Sequence, residues 1–206
     1  AVVVGGSGKF LDALVYRLDQ VPYYPEIHSA LNDQLSNDGL EPLVQLLRNL
    51  DPKGAECVDR KNPRRVVRAL EVRIGSGKSM VDFFDHHETR NFKVIRCMVN
   101  WKRQDLYDRI NKRVDLMLAS GLEAEVKELS QWRDTAAMNT VGYKEWFDYF
   151  SGSTTKADTI EKIKQHTRNY AKRQLTWLNR YENLIKLNPY LSESPFEQIL
   201  PYLVRK

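Results

Sequence analysis

The stretch AVVVGGSGKFLDAL, residues 1–14, decides how the rest of the chain is read. Three valines form a β-branched run, and residues 9–18 place apolar side chains at helical spacing. The pattern predicts a buried strand over residues 1–5, then a glycine turn, then a helix. A turn of this kind aims backbone N–H groups at an anion. The phosphate-loop consensus nevertheless fails, because it needs a glycine five residues before the Gly-Lys pair and a Ser or Thr after it. For Gly8-Lys9 those positions hold Val3 and Phe10. A second GSGK, residues 75–78, is followed by Ser79 but has Val72 upstream and follows a helical pattern. Gly75 is expected to stop that helix. What survives at residues 5–8 is a glycine turn carrying the Ser7 hydroxyl at the C-terminal end of a predicted strand, where open α/β sheets bind ligands. A plain turn serine is the alternative.

The chain has 206 residues, 42% of them apolar and 29% charged, which fits one globular domain or one core with an inserted subdomain. No apolar run approaches the ~20 residues that span a bilayer, and no basic leader is evident. Cys57 and Cys97 are far apart in sequence and are expected to be buried free thiols of a cytoplasmic protein. The net charge of +5 is unevenly spread. Residues 60–78 hold seven basic residues against Glu71 alone, and residues 156–180 hold seven against Asp158 and Glu161. Two such blocks imply an anionic partner, nucleic acid before membrane; solvated helix faces are the alternative. The chain starts at Ala1 inside an apparent strand, so an N-terminal part is expected to be lacking.

Along the chain, Pro22 and Pro25 break the first helix. Residues 26–90 read as a helical insertion, in which Asn62-Pro63 starts a helix with Val67, Leu70 and Ile74 on one buried face. FKVIRCMVNW (92–101) and ENLIKL (182–187) are the other strand candidates. Between them a long helical stretch, 104–132, buries Leu106, Ile110, Val114, Met117 and Leu118 and is interrupted at Gly121. A last long helix opens with a Thr155/Asp158 capping box. It turns Ile160, Ile163, Thr167, Tyr170 and Ala171 to the core and Lys164, Arg168 and Lys172 to another face. His86 and His87 beside Asp85 and Glu88 raise a metal reading, but adjacent helical residues point apart and no third ligand is evident; no metal site is expected there.

Five ordered segments carry a resemblance: VVVGGSGKFLDAL, NPRRVVRALEVRIGSGKS, LYDRINKRVDLMLASGLEAEV, NTVGYKE and TRNYAKRQLTW. Together they resemble the tRNA dimethylallyltransferase (tRNA isopentenyltransferase) family from residue 1 to about 180. The resemblance implies a helix-rich α/β fold, a partial P-loop NTPase-like core with a parallel sheet (residues 1–25 and 91–206) carrying the helical insertion (26–90). It implies transfer of a dimethylallyl group from its diphosphate to the exocyclic amine of the adenosine 3′ to the anticodon. Expected partners are the tRNA anticodon stem-loop and dimethylallyl diphosphate, with no membrane, the protein acting as a monomer. The family's phosphate loop and its general-base aspartate lie upstream of the GGT-like segment, so this chain is expected to be inactive alone. Magnesium is expected to accompany the diphosphate, its ligands mostly in that upstream segment.

Carried over by motif, Arg109 is the first choice for stabilising the diphosphate and Arg113, one turn later, the second. Ser7 stands where the family has threonine and could bond the adenine or the diphosphate. The tRNA contacts implied are Ser7, His28, Arg64, Arg65, Arg68, Gly142, Tyr143, Lys144, Lys172, Arg173, Gln174 and Trp177, with a core role the alternative for Trp177. Transfer to free adenine nucleotides and a non-catalytic RNA-binding module are the rival readings.

Overall fold

A computed structural model describes residues 1–16, 19–84 and 91–203. The chain divides into two compact units, one of Ala1–Gly8 with Lys93–Lys206 and one of Lys9–Phe92. The His86-His87 pair lies outside the described residues.

In the second unit, α1 (Gly8–Tyr16) is followed by α2 (Pro25–Asp38), α3 (Leu40–Leu50), α4 (Pro52–Cys57) and α5 (Pro63–Ser76). Pro25, Pro52 and Pro63 each open a helix at the position where a missing N–H costs nothing. Asn62 caps α5 by accepting from Arg65 N–H at 3.3 Å, and Asp51 caps α4 by accepting from Gly54 N–H at 2.8 Å. Leu31, Leu43, Leu47, Val66, Val67 and Leu70 form the core. Two expectations for α5 are corrected. Ile74 is 45% exposed, because the buried face runs through Val66, Val67, Ala69, Leu70 and Val72 instead. The helix passes through Gly75 and ends at Gly77, which adopts the left-handed conformation (φ 72°). Gly75 is glycine for space: a Cβ there would lie 2.2 Å from the Tyr24 ring.

The first unit holds a two-stranded parallel sheet, β1 (Arg96–Val99) beside β2 (Leu184–Leu187), with Arg96 opposite Leu184 and Val99 opposite Leu187. Around it come α6 (Arg103–Ala119), α7 (Leu122–Glu128), α8 (Glu145–Phe150), α9 (Lys156–Leu178) and α10 (Pro195–Leu203). Gly121, at φ 97°, separates α6 from α7. The Thr155 hydroxyl caps α9 by accepting from Asp158 N–H at 3.1 Å. Val114, Leu122, Val126, Met138, Trp146 and Ile163 make the core.

Residues 1–5 are not a strand. They pair with neither β1 nor β2, and Val2 and Val4 are each 91% exposed. β-branching favours a strand only where the segment pairs with a sheet edge and a core covers it, and among the described residues this segment does neither. Two further expectations are reversed. Cys57 is exposed at the end of α4, and only Cys97 is half-buried, with burial pushing its thiol above the ordinary range. Tyr170 does not face the core but is 42% exposed.

Candidate nucleic-acid and diphosphate site

The GGSG turn is seated on the C-terminal part of α9. A Cβ at Gly8 would lie 2.1 Å from Trp177 Cδ1, and one at Gly6 would lie 3.2 Å from Gln174 Oε1. These two glycines let backbone and side chain meet in close contact. Ser7 between them is half-buried. Trp177 donates from Nε1 to Tyr181 Oη at 3.2 Å, and the Arg180 guanidinium lies 3.8 Å over its ring.

Helix α6 runs antiparallel to α9, as two pairs show: Lys164–Asp115 at 2.8 Å and Arg168 Nη1 to Asn111 Oδ1 at 2.7 Å. Two cations of the predicted basic stripe are thus engaged between helices, and Lys172 alone of the three stays exposed. Continuing this register brings the start of α6 level with Gln174 and Trp177. That end is also where β1 and β2 both terminate, since the strands are parallel and Asn100 N–H still bonds Leu187 O at 2.8 Å. The C-terminal end of a parallel sheet is the usual ligand edge.

Arg109 lies in the N-terminal half of α6, level with Tyr170 of α9 in that register. Its side chain is exposed, and its guanidinium sits 4.4 Å from the centroid of Trp101. Trp101 meets Tyr190 edge-on at 5.5 Å, and Tyr190 is tied down by Lys102 N–H at 3.1 Å and by a bond donated to Asp105. The aromatic pair fixes the plane over which the Arg109 cation rests. Arg113 is exposed one turn on.

The GYK loop is built on a buried acid. Gly142 adopts φ 99°, and its N–H donates to Glu145 Oε2 at 2.8 Å. Glu145 Oε1 lies 2.6 Å from His166 Nδ1. Tyr143 donates its hydroxyl to Glu125, a bond that raises the phenol pKa above its ordinary value, with burial and the Glu125 charge adding to it. Lys144 points to solvent.

In the helical unit, Arg64 and Arg65 are exposed at the start of α5, with Asp59 3.9 Å from Arg65. Arg68 is turned inward: it bonds the fully buried Glu71, donates to Val21 O at 3.1 Å and lies 5.6 Å from the Tyr23 ring. Glu71 also accepts from Tyr24 N–H at 2.9 Å and holds His28 Nδ1 at 2.8 Å. Sequence reasoning missed Glu71, Glu145 and His166. The signal available for the first two was an acid inside a motif otherwise read for its cations. Among the described residues, no group of three His, Cys, Asp or Glu side chains could hold a metal ion. No helix among them is long and apolar enough to cross a membrane.

The unit is a helix-rich α/β arrangement with a parallel sheet and a glycine turn seated on α9. The sequence model of the IPP transferase family matches residues 1–181, and the chain belongs to that family. It is 45% identical over 182 residues to a tRNA dimethylallyltransferase of Christiangramia forsetii, covering 87% of this chain and 60% of that protein. It is 38% identical over 205 residues to tRNA dimethylallyltransferase 2 of Parabacteroides distasonis, covering 98% and 69%. The chain thus spans about 60% of the length of the first of these. Among solved structures, a tRNA isopentenylpyrophosphate transferase from Bacillus halodurans aligns with TM-score 0.55 and 28% identity over 94% of this chain and 61% of that one. A eukaryotic dimethylallyltransferase acting on tRNA aligns with TM-score 0.68 and 24% identity, covering 89% and 50%, a likeness of fold. The helix-rich, P-loop-like α/β class is the one expected from the sequence.

Proposed function

We propose that this chain takes part in transferring a dimethylallyl group from dimethylallyl diphosphate to the exocyclic amine of the adenosine 3′ to the anticodon of tRNA, in the cytoplasm. The observation that carries the reading is Arg109, exposed on α6 and held over Trp101 just past the C-terminal end of β1. Breaking the allylic carbon–oxygen bond builds negative charge on the leaving diphosphate. A cation already fixed in place stabilises that charge without reorganising, and losing one such group costs ~3 kcal/mol of transition-state stabilisation. Arg113 provides a second positive charge one turn away. The Ser7 hydroxyl serves to bond the adenine or the diphosphate. In the helical unit, exposed Arg64 and Arg65 serve the RNA phosphates and His28 adds a contact; in the other unit Lys144, Lys172 and Arg173 serve phosphates, and Gly142, Tyr143, Gln174 and Trp177 add contacts. Arg68, bonded to Glu71, shapes the segment it contacts.

Magnesium would accompany the diphosphate and offset its charge. The described residues supply no cluster of ligands for it, so the roles above are those of the chain's own side chains. Neither GSGK segment has phosphate-loop spacing, and we propose that the 206-residue chain by itself binds tRNA without turning it over.

The test uses the native gene product with dimethylallyl diphosphate and an unmodified tRNA transcript, followed by mass spectrometry of the digested nucleosides. Prenylated adenosine is expected, and Arg109→Ala should lower turnover about 100-fold with tRNA affinity nearly intact. A large loss of tRNA binding in that variant would remove its diphosphate role. Prenylation of free adenine nucleotides but not of tRNA would favour the nucleotide-transfer reading. Salt-sensitive RNA binding with no prenylated product would favour the RNA-binding module.

A further inference from the structure

One face of α9 passes through three surroundings. At 100° per residue, Thr159, Ile163, His166, Tyr170, Arg173 and Trp177 fall in one narrow sector. Thr159 and Ile163 are buried. His166 emerges 39% exposed beside the GYK loop, with its Nδ1 taken by Glu145. At the other end, Trp177 is covered by Gly8 of the GGSG turn. Between these two points Tyr170 and Arg173 lie open, with the Arg173 guanidinium 5.5 Å from the Tyr170 centroid. The open strip from residue 166 to 177 is about 16 Å long at 1.5 Å per residue. Residues 166–178 contain Arg168, Lys172 and Arg173 and no carboxylate.

We propose that this strip is a track for single-stranded RNA, in which an unpaired base stacks on Tyr170 and the flanking phosphates meet Arg173 and the outward nitrogen of His166. The proposal rests on the tRNA reading above and narrows it to a place and a binding mode. An exposed aromatic ring with a cation beside it, on a helix segment without acids, is the arrangement that holds single strands, because every base offers a π-face and every phosphate a charge. A duplex offers no such face, since its bases are already stacked. His166 is held in the required orientation by the same carboxylate that fixes the Gly142 N–H, so loop and track are set together.

The experiment measures dissociation constants of the 206-residue chain for an anticodon stem-loop RNA and for a blunt RNA duplex with equal phosphate count. Tyr170→Ala, Tyr170→Phe and the double variant Lys172→Ala/Arg173→Ala are compared, with unfolding midpoints recorded for each. Tyr170→Ala is expected to weaken stem-loop binding roughly tenfold, to leave duplex binding and the salt slope unchanged, and to be rescued by Tyr170→Phe. Equal losses on both RNAs, or no loss on either while the lysine–arginine variant weakens both, would overturn the Tyr170 track and leave the tRNA reading standing. Failure of the wild-type chain to bind the stem-loop, or indifference to the lysine–arginine change, would overturn the tRNA reading and the track with it.

Discussion

Glu145 holds His166 at 2.6 Å with one carboxylate oxygen and the Gly142 N–H at 2.8 Å with the other, while being almost fully buried itself. One side chain thus joins the GYK loop to the middle of α9. Glu71 does the same in the helical unit for Tyr24 N–H and His28. In both places an acid beneath the surface sets the backbone that presents basic residues above it.

Replacing Glu145 by alanine leaves the Gly142 N–H without its partner and frees the His166 ring. A loss of about 1–3 kcal/mol is expected, read as a lower urea midpoint. Glu145→Gln keeps an oxygen for Gly142 and an amide for His166, so it should recover most of that loss. Equal destabilisation by both variants would contradict the two-bond role.

Gly8→Ala drives a methyl group into the Trp177 ring. Overpacking of this kind costs about 1–3 kcal/mol, seen as a fall in melting temperature. Gly6→Ala should cost less, since the Gln174 side chain can swing aside. Adding Trp177→Ala to Gly8→Ala should remove the incremental cost of the methyl group; a strictly additive double variant would show that the contact is unimportant.

The Tyr143 hydroxyl, bonded to Glu125, titrates above an ordinary phenol. The folded state therefore keeps a proton that the unfolded chain loses near pH 10. Its contribution to stability is present below that pH and is lost as pH rises through the folded value. Ultraviolet titration should show the phenols of Tyr143 and Tyr190 ionising late, and Glu125→Gln should bring the first of them back toward the rest.

Lys172 and Arg173 differ from Lys164 and Arg168 in what surrounds them. Removing the first pair should flatten the salt dependence of RNA binding by about 0.7–0.9 in log–log slope per charge, with little change in stability. Removing Lys164 or Arg168 breaks contacts with Asp115 or Asn111 and should lower stability instead. Identical salt slopes for the Lys172/Arg173 variant and the wild type would contradict phosphate contact.

Sequence by itself determined the elements with local causes. The boundary at Pro25, the helix start at Asn62-Pro63, the Thr155 cap, the break at Gly121, a strand within each of 92–101 and 182–187 and the helix-rich α/β class all follow from short-range rules or ordered motifs. Tertiary structure decided everything that depends on a distant neighbour. The three valines pair with neither described strand and lie exposed, so their β-branching alone does not make a strand. Gly75 and Gly8 are small because Tyr24 and Trp177 press on them. Arg68 turned inward because Glu71 is buried beside it, and Tyr170 lies open although its spacing matches that of Ile163. Periodicity gives the direction of a side chain around its helix axis. Whether that direction meets a core, a partner charge or water depends on where the next segment lies, and that is set by packing across the whole unit.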